Sequence, residues 1–148
     1  MTRLAFLATI FSFALAGPAF AAKPPVYTVP GSDLAAGGYD VVSFFEGEAM
    51  RGSAEYTTRY NGAVWQFNSA ENLKRFEKDP AAYAPQYGGY CAWAVAQGYL
   101  AKGDPRFATV VAGKLYLNFN GNIQAKWSRD IPGQIANANA NWPGILDR

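Results

Sequence analysis

Cys91 is the one cysteine among 148 residues, and the chain has no histidine. An intrachain disulfide is therefore impossible, and so is a closed metal centre of three or four Cys and His ligands. A fold of this chain has to be held by packed side chains. It has the means, with ten Phe, nine Tyr and four Trp. Aromatic rings each bury a large area, so most of them are expected in the core.

Residues 1–21 have the pattern of a secretory signal peptide. Arg3 precedes an almost wholly apolar run, Gly17-Pro18 breaks it, and Ala19-Phe20-Ala21 fits the small-x-small cleavage rule. The run is shorter than the roughly 20 residues a bilayer span needs. The expectation is an exported domain, periplasmic if the source is Gram-negative, that makes no membrane contact after signal cleavage. Thirteen Lys+Arg stand against eleven Asp+Glu with no basic block, so nucleic acid is not an expected partner. Residues 22–33, with Lys23-Pro24-Pro25, read as an extended N-terminal tail. Residues 34–148 read as one domain, and no internal repeat stands out.

Local signals outline an α+β fold of small antiparallel hairpins packed with several short helices. The run Tyr39-Asp40-Val41-Val42-Ser43-Phe44-Phe45 suits a short strand or one helical turn. Two β-rich runs, residues 56–60 and 63–67, flank Asn61-Gly62, the strongest short signal for a type I′ hairpin. Ser69 is placed to cap a helix over residues 70–78, with Leu73 and Phe76 on one face. Asp79-Pro80 stops that helix and can start another, with Asp79 as its cap. Residues 91–97 favour helix, with Gly98 as its stop. Residues 109–111 and 114–119 form a second hairpin across Ala112-Gly113, ended by Asn120-Gly121. Two helices follow, over residues 123–129 and 131–142. Strands and helices mix without βαβ alternation.

The residues Tyr60, Gly62, Trp65, Phe67, Ser69, Phe76, Asp79, Pro80 and Tyr83, in their spacing of hairpin, capped helix and Asp-Pro-x-x-Tyr, resemble the YHS domain family. The longer pattern is similar to an exported, single-domain subgroup of it, through Gly38-Tyr39-Asp40, residues 84–91, residues 113–118 and residues 130–143. The resemblance implies kinship with metal-binding knuckle domains and a role near metal or redox handling. In metal-binding relatives, cysteines sit where this chain has Ser43 or a neighbour, Asn68 and Asn72. With one Cys, one Met beyond the signal (Met50) and no His, no intrachain mononuclear Cys/His metal site is expected, and no cofactor is named.

Cys91 is the candidate reactive thiol, or a metal ligand shared between two chains. The blander reading is an inert, buried residue, since free Cys is among the most buried residue types. Near a helix start its pKa would be lowered, and as an exported lone thiol it could join a protein partner or a second copy. Tyr87, Tyr90 and Trp93, with Tyr99, are possible site lining or packed core; Asp40, Asn68 and Asn72, with Asn118, are polar candidates for the same role. Asp40, Asp79, Asp104 and Asp130 adjoin turns or prolines, where capping explains them. Without histidine or any catalytic motif, the chain reads as a binding or accessory module, not a hydrolytic enzyme. The alternatives are a thiol-redox protein using Cys91, and a structural or small-ligand-binding domain in which Cys91 is inert.

Overall fold

The computed structural model describes residues 21–148; apart from Ala21, the expected signal segment lies outside them. The fold is α+β in a single body. Strands β1 (Ser53–Tyr60) and β2 (Ala63–Phe67) pair antiparallel and lead into helices α1 (Ala70–Lys78) and α2 (Pro80–Tyr83). Helix α3 (Ala92–Gln97) precedes strands β3 (Asp104–Val111) and β4 (Lys114–Asn118), which lead into α4 (Gly121–Trp127) and α5 (Ile131–Asn141). The two hairpins form separate two-stranded sheets.

The expected capping holds at most ends. Ser69 Oγ accepts from Asn72 N–H at 3.1 Å at the start of α1. Gly98, in the left-handed region at φ 90°, closes α3. Differences have local causes. The run from Tyr39 is no strand: it holds a 3₁₀ turn at Ser43–Glu46. Strand β3 starts at Asp104 rather than Thr109, because a bulge between Asp104 and Ala108 lets the chain pass Pro105 and resume pairing. Asn120 is not merely a strand stop. Its Oδ1 accepts from Ile123 N–H at 2.9 Å, so α4 begins two residues earlier than expected. Asp79 precedes Pro80 of α2 but makes no side-chain cap bond.

One expectation fails outright: the fold is an internal repeat. Each pairing of the first hairpin recurs in the second displaced by 51 residues. Ser53↔Phe67, Thr57↔Gln66 and Tyr60↔Ala63 become Asp104↔Asn118, Ala108↔Leu117 and Val111↔Lys114, and the bulge falls at the same place. The bridge Tyr39↔Arg51 recurs as Tyr90↔Lys102. Positive φ angles repeat at Gly38 and Gly89, Gly47 and Gly98, Asn61 and Ala112, and Gly62 and Gly113. The caps Ser69 and Asn120 correspond, as do the helix breaks at Asp79-Pro80 and Asp130-Ile131.

Each copy has its own core, and the copies are joined. The first gathers Trp65, Phe67 and Phe76 with Val41 and Val42, and takes in Leu115 and Leu117 from β4. The second gathers Tyr87, Tyr90, Tyr116 and Trp127 with Val95. Residues 22–33 are no loose tail. Tyr27 N–H donates to Gly88 O at 2.9 Å, Val26 is buried in the first core, and a Cβ at Gly88 would stand 1.8 Å from Pro25 O.

Candidate functional site

In the first copy, Asp40 is fully buried and its carboxylate is saturated. Oδ1 accepts from Val42 N–H at 2.9 Å and Ser43 N–H at 3.3 Å. Oδ2 accepts from Asn68 N–H at 3.0 Å and Asn72 Nδ2 at 2.8 Å. Ser43 Oγ accepts from Met50 N–H at 3.0 Å, and Asn68 Nδ2 lies 2.9 Å from Met50 Sδ. The sequence candidates Asp40, Asn68 and Asn72 thus come together with Ser43 and Met50. They close the space between the 3₁₀ turn, β2 and the first turn of α1.

These include the positions at which the family resemblance implied cysteines. The donor set here does not fit a soft metal: it is one carboxylate, a hydroxyl and two amides, already engaged with one another. Among the described residues no group of three or more His, Cys, Asp and Glu side chains comes together.

In the second copy, the residue at Asp40's place is Cys91. Around it lies a cavity of about 350 Å³ lined by Trp93, Ala94, Tyr99, Ala101, Phe119, Asn120 and Ile123. Shifted back by 51, these are Val42, Ser43, Glu48, Met50, Asn68, Ser69 and Asn72. The pocket is therefore the first copy's polar cluster, position for position, with its interlocking side chains replaced. Ser43 has become Ala94, Met50 has become Ala101, Asn68 has become Phe119, and Asn72 has become Ile123. What is filled by hydrogen-bonded groups in one copy is open and apolar in the other.

Cys91 sits at the N-cap of α3, 1% exposed. The N–H groups of Trp93, Ala94 and Phe119 pull the thiol pKa down, but burial outweighs them and holds it above its ordinary value. That reverses the effect expected of a helix start. The S–H points at Asn118 Oδ1, 3.7 Å away, which also accepts from Trp93 N–H at 3.2 Å. Asn118 is itself fully buried and pins the start of α3 to β4. Among the described residues, Cys91 is buried and lines the cavity.

The aromatic candidates separate. Trp93 packs edge-on against Tyr99, ring centroids 6.2 Å apart, in the cavity wall. Tyr87 and Tyr90 turn away into the second core. Both pack on Trp142, and their hydroxyls donate to Asn139 Oδ1 and Pro24 O, each at 2.9 Å. Burial raises both phenol pKa values. Sequence reasoning missed Ala94, Ala101, Phe119, Asn120 and Ile123 as site residues. The signal that reveals them is the recurrence of Gly37-Gly38-Tyr39 at Gly88-Gly89-Tyr90, which carries the Asp40 neighbourhood onto that of Cys91.

Residues 41–87, the greater part of the first copy, match the family model of the YHS domain. No curated protein and no solved structure matched the chain. Among the described residues no helix is long and apolar enough to cross a membrane.

Proposed function

We propose that the chain is an exported YHS-type binding module whose working site is the Cys91 cavity, and that its ligand is a small, predominantly apolar molecule. One observation carries this reading. The lining positions that interlock in the first copy are emptied in the second, leaving a pocket of ligand size with aromatic and aliphatic walls. Cys91 then serves as a small apolar floor rather than as a nucleophile. The raised thiol pKa argues against the redox alternative. A metal role would need ligands from outside this chain, since neither copy supplies a soft set. Export rests on the pattern of residues 1–21, and recovery of the mature protein with Met1 still attached would remove that part of the proposal.

The test uses toluene and indole as probes, followed by amide NMR shifts. Saturable shifts at Ala94, Ala101 and Ile123 are expected. Ala101→Met, which restores the side chain found at Met50, should fill the space and abolish them while the rest of the spectrum stays dispersed. Absence of saturable shifts, or shifts that persist unchanged in Ala101→Met, would overturn the assignment.

A further inference from the structure

A second cavity, of about 270 Å³, lies between the two copies. Tyr39 and Arg51 come from the first copy, Lys102 to Arg106 from the second, and Tyr27 from the segment that straps them together. Arg51 and Lys102 hold the same position in the two copies, each bridged to the tyrosine of a Gly-Gly-Tyr turn. The repeat thus delivers one cation from each half to a shared space. Arg106 adds a third.

The charges do not balance. Asp104 is the single carboxylate of the lining, and Arg106 already grips it, with Nε to Oδ1 at 3.0 Å and Nη2 to Oδ2 at 2.6 Å. That pairing holds the Asp104 carboxyl below its usual range. Arg51 donates to Gly37 O at 3.2 Å, and its guanidinium lies 4.7 Å from the centre of the Tyr39 ring. Lys102 stands 5.2 Å from the Phe119 ring. Neither forms a salt bridge among the described residues. Lys102 also draws on the Asp104 charge, so the lining carries three cations against one carboxylate, and its other walls include Tyr27, Val29, Leu34, Tyr39 and Pro105.

We infer that this inter-copy cavity binds a small organic carboxylate, with the anionic group between Arg51 and Lys102 and a flat apolar body against Tyr27, Tyr39 and Pro105. A planar guanidinium fork suits a carboxylate, and the tyrosine and proline walls suit a ring. The two cavities share no lining residue, but Lys102 approaches the Phe119 ring in the wall of the Cys91 pocket, so the two sites adjoin.

Benzoate and its neutral counterpart benzamide isolate the charge on one body. Titration of the full chain, read by calorimetry and by the amide shifts of Tyr39 and Gly103, should show saturable benzoate binding and at least tenfold weaker benzamide binding. Arg51→Gln should weaken benzoate about tenfold, the loss of one charged hydrogen-bond partner. Lys114→Gln, which removes a lysine at the β3–β4 turn, should leave it unchanged. Equal binding of benzoate and benzamide would overturn the inference, as would an Arg51→Gln variant that is folded and binds normally. Tighter binding of inorganic phosphate than of benzoate would overturn the carboxylate class.

Discussion

At the residue scale, the pair Asp40 and Cys91 shows how one backbone position can serve two environments. A buried carboxylate is tolerated only when its oxygens are met by donors. Asp40 meets four, two of them from its own turn and two from Asn68 and Asn72 across the fold. A thiol makes no such demand, so at Cys91 the surrounding donors could be lost and the space could open. Asp40→Asn tests this dependence. Whichever oxygen becomes an NH₂ group, it faces N–H donors instead of pairing with them. The variant should lose about 2–3 kcal/mol of stability, read as a lower urea midpoint with an unchanged slope. A loss below 0.5 kcal/mol, on the scale of an ordinary surface change, would show that the cluster is not what holds the turn, β2 and α1 together.

At the element scale, the two hairpin turns share a conformation and their glycine, Gly62 and Gly113, but differ at the residue before it. Asn61 and Ala112 both have left-handed φ, at 49° and 48°. Asparagine tolerates that region through local hydrogen bonding, whereas alanine is strained there. Replacing the alanine with its first-copy counterpart, Ala112→Asn, should stabilise the protein by about 0.5–1 kcal/mol, and a thermal unfolding scan would show the rise in Tm. No gain would mean that the tip of the second hairpin already relaxes out of the I′ geometry.

The same pair explains what was legible beforehand. Asn61-Gly62, Ser69 and Gly98 are local signals, and local signals fixed the first hairpin, α1 and the end of α3. The repeat was hidden because identity between the copies is sparse, lying mostly at turn positions such as the Gly-Gly-Tyr runs, with Thr58 and Thr109 a pair inside the strands. Site positions exchange chemical type, as when Asn72 gives way to Ile123, and core positions such as Trp65 and Tyr116 or Phe76 and Trp127 keep only their aromatic character. Asp40, Asn68 and Asn72 were each legible as polar candidates, but the bonds that join them were not. Asn68 and Asn72 lie 28 and 32 residues from Asp40, and nothing in their spacing announces a shared carboxylate.

At the scale of the whole molecule, the match to residues 41–87 ends before the unit that folds. The first core is completed by Leu115 and Leu117 of β4, with Ala108 of β3 packed against it, so the second copy covers the first. The strap from Pro24 to Tyr27 runs the other way, placing Val26 in the first core while Tyr27 and Pro24 hydrogen-bond to Gly88 and Tyr90 of the second copy. A lone two-stranded hairpin with short helices is marginal in water, and small domains bury too little surface to offset chain entropy. A fragment of residues 22–87 would retain β1, β2, α1 and α2 while exposing Trp65, Phe67 and Phe76 where β4 now packs. It should be unfolded or aggregated, with collapsed amide dispersion, while residues 22–148 give a dispersed spectrum and a single cooperative transition. A fragment that folds alone would show the copies to be independent domains, and the cavity between them could then open and close freely. Cooperative unfolding of residues 22–148 as one unit is the behaviour expected of copies that share a core, the arrangement that a preformed carboxylate site between them requires.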